Sequence, residues 1–326
     1  MREYSGMTTI GLVLSAGGFS GAAHHSGVLD ALSSVTGWDS RTSDVVVGTS
    51  AGSLIAVSLR AGISPHDLAC YYTDDTMTPE GQEIIDRVTT SLKVPEPGFS
   101  GNSKIPSKPS LVLKEIFLGG RPRPMVAVTG IIPEGQFDGS SFAERTSQIH
   151  PDPWPEKPTW LCALDLDSGK RVVFGRDDVE VDVGTAVQAS SAIPGRFIPV
   201  NLNGRRYIDG GVHSLTNADL LAPLQLDLVI ISSSSTLTGS HRNSSLSVAW
   251  NSRTLQKEIE QIRSNGTEVL TFEPTTSDLL ARNELESSKE AAEDIFRRSK
   301  TSAIARLAKP QSSRARELLE KSLLQI

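Results

Sequence analysis

Two glycine-rich turns in the first 61 residues constrain the fold more than any other feature of the chain. Each is entered from an apolar run of strand length and left by a helical pattern. Residues 10–15 (IGLVLS) read as a buried strand and residues 21–34 (GAAHHSGVLDALSS) as a helix. Residues 44–47 (DVVV) and 52–61 (GSLIAVSLRA) repeat the pattern. Strand and helix alternating across short turns point to a parallel sheet covered by helices. Eleven of the 18 prolines then fall between Pro95 and Pro158, which predicts turns and extended segments, with residues 93–109 and 151–158 as the clearest loops. Residues 93–109, rich in breakers and carrying three lysines, read either as a mobile flap over a binding pocket or as a plain surface connection. Regular structure resumes with a strand pair at 160–166 and 171–174, a helix at 183–192 and a strand at 226–232. The serine run 232–235 reads as the loop after that strand. From residue 244 the pattern is mostly helical, with 268–272 as one further strand. The expectation is an α/β chain, three-layered α/β/α with a mostly parallel central sheet. A catalytic domain would span 9–243, with a helical C-terminal extension at 244–326 packed on it.

At 326 residues the chain buries a core without covalent staples, and its two cysteines, Cys70 and Cys162, cannot build a disulfide framework or a cysteine zinc site. No apolar run approaches the ~18–20 residues of a membrane span. The apolar stretch near the N-terminus is short and glycine-rich for a signal peptide, so a cytoplasmic protein is expected. A net charge of −6 argues against nucleic acid as a partner. The charge is uneven: residues 296–326 carry eight Lys/Arg against Glu317 and Glu320, so this tail is +6 and the rest −12. Its helical patterns, 287–308 and 312–324, have two readings. The apolar stripe could pack on the domain with its charges solvated, or it could lie on an anionic bilayer as a peripheral contact.

The sharpest chemical motif is Gly48-Thr49-Ser50-Ala51-Gly52, a G-x-S-x-G between strand and helix. A serine on such a turn is held in a strained conformation at the positive end of a helix, the placement of a nucleophile. The loop Gly17-Gly18-Phe19-Ser20-Gly21 also joins strand to helix, and its backbone N–H groups suit a phosphate or an oxyanion. A dinucleotide site needs an acid closing the second strand; Asp44 opens that strand instead, which disfavours the nucleotide. The serine requires a base. Six histidines are available (His24, His25, His66, His150, His213 and His241), none in a catalytic motif. On the first helix, one of His24 and His25 is expected to pack and the other to face solvent. Asp209, in Tyr207-Ile208-Asp209-Gly210-Gly211, ends a short strand. It is either half of an Asp-Gly hairpin turn or a strand-end carboxylate that reaches the serine directly, its pKa raised by burial.

Taken in order, LVLSAGGFSGAAHHSGVLDAL, GTSAGS and the later DGG resemble the patatin-like phospholipases. Residues 189–200 (ASSAIPGRFIPV) and 160–174 strengthen the resemblance, which covers about residues 9–231. It implies a fold similar to the cytosolic phospholipase A2 catalytic domain and a lipid acyl hydrolase working through a Ser–Asp dyad. Ser50 would be the nucleophile and Asp209 the general base, with backbone donors of Gly17, Gly18 and Phe19 as oxyanion hole. Gly21, Gly48, Gly52, Gly210 and Gly211 would be the motif glycines. The implied substrate is a lipid or small ester, with no metal and no cofactor. Family loops usually read G-G-G-x-[KR]-G; here Ala16 replaces the first glycine and Ser20 the basic residue. That departure keeps a non-catalytic lipid- or protein-binding relative in view, and a Ser-His-Asp esterase using His213 or His241 is the other alternative. Oligomeric state is left open.

Overall fold

The two strands read from the first turns lie at the centre of one eight-stranded sheet. The computed structural model describes residues 7–92, 106–111, 124–237, 246–275, 278 and 288–325. Along the chain run β1 (Ile10–Leu14), α1 (Gly18–Thr36), β2 (Val45–Thr49), α2 (Ala51–Arg60), α3 (Pro65–Ala69) and α4 (Pro79–Asp86). They are followed by α5 (Pro124–Ile131), α6 (Ser140–Ile149), β3 (Thr159–Asp165), β4 (Lys170–Phe174), α7 (Val183–Ser190), β5 (Val200–Leu202) and β6 (Arg205–Asp209). The last elements are β7 (Leu228–Ser232), α8 (Leu246–Arg263), β8 (Glu268–Phe272), α9 (Lys289–Leu307) and α10 (Ser313–Leu323). Short 3₁₀ turns occupy Gly210–Val212 and Ala218–Leu224.

The sheet order is β5-β6-β3-β2-β1-β7-β8, with β4 on β3. Pairs β3–β2, β2–β1, β1–β7 and β7–β8 are parallel, and β3–β4, β3–β6 and β5–β6 are antiparallel. Strands β1 and β7, apolar but for Ser232 at the end of β7, are buried throughout, as strands covered on both faces are. Alternation then divides their side chains. Ile10, Leu12, Leu14, Leu228 and Ile230 join a core with residues of α1, α2, α7, α9 and α10. Val13, Val47, Val229 and Ile231 point the other way, onto the 3₁₀ segment and the α8 residues Leu255, Ile259 and Ile262. The result is the expected α/β/α layering around a mostly parallel sheet. Beyond residue 243 the chain supplies both α8 and β8, so it extends the sheet and covers its second face as well as adding helices.

The register sets the site. Thr49 pairs with Cys162, and Asp209 with the next β3 residue, Ala163. Strand β4 occupies one edge of β3 from Leu161 to Asp165. A strand has two edges, so β2 and β6 share the other. β2 pairs Cys162 and the residues before it, and antiparallel β6 pairs Ala163 and the residues after it. The two strands run toward each other and meet end to end, which forces both chains off the sheet just after Thr49 and Asp209.

Two readings of the sequence are corrected. The proline-rich middle contains α5, which Pro124 opens instead of interrupting, and α6, which lies in the proline-free stretch 134–150; Pro65 and Pro79 open α3 and α4 as Pro124 opens α5. Proline is favoured there since the first helical N–H has no intrahelical partner. His24 and His25 are both buried, not one inside and one outside. His25 donates from Nε2 to the Ser15 carbonyl (2.8 Å), which leaves Nδ1 to accept from the Ser232 hydroxyl (2.7 Å). His24 Nδ1 lies 2.8 Å from Ser299 Oγ on α9. Of the proposed flap, residues 93–105 lie outside the described residues. Its end is anchored, with Pro106 bridging to Pro133 and Lys108 paired to Asp167 at 3.1 Å.

Candidate active site

Ser50 occupies the turn between β2 and α2 at φ 52°, ψ −119°, a conformation that costs a non-glycine residue about 1–3 kcal/mol. Neighbouring groups hold it there. Its N–H donates to Ser190 Oγ (2.9 Å), and the Ser190 hydroxyl donates to the Cys162 carbonyl (2.7 Å). Its carbonyl accepts from the N–H (2.8 Å) and hydroxyl (2.5 Å) of Ser53. A Cβ at Gly52 would overlap the Leu14 carbonyl oxygen, so only glycine lets α2 start this close to β1.

Asp209 faces this turn from the end of β6. Its N–H donates to the Ala192 carbonyl (3.0 Å), its carboxylate accepts the Gly211 N–H (2.7 Å), and the Ser50 side chain is near enough to act on it electrostatically. Among the described residues, no histidine is one of the groups acting on this carboxylate. Burial pushes the Asp209 carboxyl up to about 6, against the downward pull of the Ser50 side chain and the Gly211 N–H. At neutral pH the group is therefore ionised yet far more basic than an exposed aspartate.

The glycine loop leaves β1 beside the elbow, because Leu14 pairs with both Gly48 and Ser232. Ala16 N–H donates to the Leu215 carbonyl (2.8 Å), and Gly21 N–H to the Gly17 carbonyl (2.8 Å). From the β7 end, Ser234 Oγ donates to the Ala16 carbonyl (3.0 Å) and Ser234 N–H to Ser15 Oγ (3.0 Å). A Cβ at Gly17 would overlap Ser234 Oγ, so this support also requires glycine. Gly18 and Phe19 open α1, and the first N–H groups of a helix have no intrahelical acceptor, which leaves them to an incoming anion. The Phe19 side chain is exposed.

The structure brings together the elbow, the glycine loop and the Asp209 turn. Gly21 lies against Ala51, Gly211 against Ala16, and Gly210 over the Cys162 carbonyl. His213 N–H closes the 3₁₀ turn on the Gly210 carbonyl (3.0 Å), and His241 lies outside the described residues. Sequence reasoning missed Ser190 and Ser234, which hold the elbow and the glycine loop. Both stood in segments already noted, the ASSAIP stretch and the serine run, without a stated role. Asn217 is fully buried and donates to Thr49 Oγ1 (3.1 Å).

The family model described as patatin-like phospholipase matches residues 12–222, nearly two thirds of the chain. Among solved structures the chain is similar to the type III effector protein ExoU at 19% identity and a TM-score of 0.35, covering 92% of this chain and 53% of that one. The chain thus spans about half the length of that protein.

Proposed function

The chain belongs to the patatin-like phospholipase family, and from that membership we propose a serine acyl hydrolase that cleaves carboxylic esters of lipids through Ser50 and Asp209. The observation that carries the proposal is a buried carboxylate of raised pKa, held by the Gly211 N–H at the strand end that meets the strained Ser50 turn. Ser50 Oγ attacks the ester carbonyl as Asp209 takes its proton, and the carbonyl electrons move onto oxygen. The backbone N–H groups of Gly17, Gly18 and Phe19 stabilise that oxyanion at the positive end of α1. Collapse expels the alcohol, which receives the proton from Asp209 and leaves an acyl-Ser50 ester. Water then attacks this ester, with Asp209 taking its proton and returning it to Ser50 as the carboxylic acid departs.

The family membership makes lipid the substrate class, and one surface suits it. Helix α5 packs beside the Gly210–Val212 turn and exposes Met125, Val128 and Ile131. We assign peripheral contact with lipid to this apolar face. No described helix is long and apolar enough to cross a membrane.

The test is reaction with a fluorophosphonate probe, alongside turnover of p-nitrophenyl esters and phospholipid vesicles. Labelling is expected at Ser50, and Ser50→Ala and Asp209→Asn should each lower kcat by at least about 10³-fold in folded protein. An unlabelled, inactive wild type would make the chain a binding relative. Full activity in Asp209→Asn would remove the dyad.

A further inference from the structure

Helix α8 lays Leu255, Ile259 and Ile262 against the second face of the sheet, and Glu258 stands in the same stripe, 6% exposed. A carboxylate in such a place requires donors. Three reach it: the Ser214 hydroxyl at 2.6 Å, the Thr216 hydroxyl, and the Ala218 N–H at 3.1 Å. All three belong to residues 214–218, the loop that follows the Asp209 turn. Ser214 Oγ in turn accepts the N–H groups of Thr216 (3.3 Å) and Asn217 (3.1 Å).

This loop has two outward holds. Through Asn217 Nδ2 it grips Thr49, one residue before Ser50, and through the Leu215 carbonyl it grips Ala16, one residue before Gly17. Asn217 sits at φ 52° and is fixed further by its bond to the Ser214 carbonyl (2.7 Å) and by Arg171, which donates to its Oδ1 (3.1 Å) while pairing with Asp219 (2.6 Å). We infer that Glu258, which lies outside the family-matched segment, is a positioning residue whose carboxylate clamps residues 214–218 and so fixes the nucleophile turn and the oxyanion loop relative to each other. The inference rests on the acyl-hydrolase reading for its effect on turnover, but not for its effect on the loops. Burial, with Asp219 adding in the same direction, pushes the Glu258 carboxyl up to about 7 against the pull of its three donors, and Arg171 is the facing cation.

Glu258→Gln keeps the volume and removes the charge. Misplacing reacting groups by about 1 Å costs on the order of 10²-fold, so kcat on a soluble p-nitrophenyl ester should fall about 10- to 100-fold with KM within about twofold. Fluorophosphonate labelling of Ser50 should slow in proportion. Thr216→Val removes one donor and keeps the shape; it should give a smaller loss, and the double variant should fall little below Glu258→Gln alone. Hydrogen–deuterium exchange gives a readout without turnover: peptides covering 12–20 and 47–53 should lose protection while β8 and α9 keep theirs. Unchanged kcat in both folded variants would overturn the inference. So would protection lost evenly across the molecule together with a fall in the melting midpoint. If the wild type neither turns over ester nor labels, the hydrolase reading fails, and the exchange at 12–20 and 47–53 still decides the role of Glu258.

Discussion

Asp209 answers to two opposed requirements: a base must be ionised, and a group out of water resists ionisation. With the carboxyl at about 6 in the fold and 3.8 as its ordinary value, kcat/KM should rise through about pH 6 to a plateau, measured on a soluble ester. The same shift fixes the sign of a stability effect. Below pH 3.8 the carboxyl is protonated folded or unfolded and costs nothing; between 3.8 and 6 the unfolded chain releases a proton the fold keeps; above 6 the full cost applies. A shift of about two units corresponds to about 3 kcal/mol. Asp209→Asn should therefore be inactive but more stable than the wild type at pH 8, with the advantage shrinking toward pH 4. Denaturant titrations at both pH values measure it, and a variant less stable at pH 8 would contradict the burial argument. Ser50 and Asp209 could be nominated from the sequence because Gly48 and Gly52 flank the first and Gly210 and Gly211 follow the second. Ser190 could not, because the Ser50 N–H it accepts lies 140 residues away and no local pattern records that bond.

At the scale of elements, legibility followed the strength of the pattern. Strands β1, β2, β7 and β8 were found within a residue or two, because each carries a short apolar run: IGLVL, VVV, LVII and, at the sheet edge, the VL of EVLTF. Helix α5 went unread because a proline that opens a helix looks locally like one that breaks it, and α6 because prolines crowd the sequence on both sides of it. The close approach of α2 to β1 predicts that Gly52→Ala, a substitution that usually favours helices, will here destabilise the fold by several kcal/mol or prevent expression in folded form. Circular dichroism and a melting midpoint would show it; a stable Gly52→Ala protein would mean the elbow has room to shift. For α5, replacing Met125 and Val128 by glutamate should depress turnover on phospholipid vesicles at least about tenfold while leaving soluble p-nitrophenyl esters within about twofold. Equal losses on both substrates would place α5 in the fold's stability instead of at a lipid surface.

For the whole molecule, the C-terminal region decides between the two readings of the basic tail. On α9, Ile295, Phe296, Ala303 and Leu307 are buried, as are Leu318 and Leu319 of α10, while Ile304 and Leu324 of the stripe are exposed. Several of the basic side chains pair with acids of the protein, Lys300 with Asp30 at 2.7 Å and Arg314 with Glu317 at 2.8 Å. The stripe covers the core. A chain ending at residue 282 should therefore melt lower and bind an apolar dye, instead of staying folded and merely losing affinity for anionic vesicles. A truncated protein with an unchanged midpoint would reopen the membrane reading. The head-on meeting of β2 and β6 has a wider consequence. Because both strands hang on one edge of β3, the gap between Ser50 and Asp209 is counted out in whole residues of a third segment that supplies neither. Side-chain substitutions can tune the chemistry at each end of that gap, but its width changes only by a full step of about 3.3 Å, when a residue is added to or lost from β3. Such a gap is digital, and any lineage that keeps the reaction must keep the count.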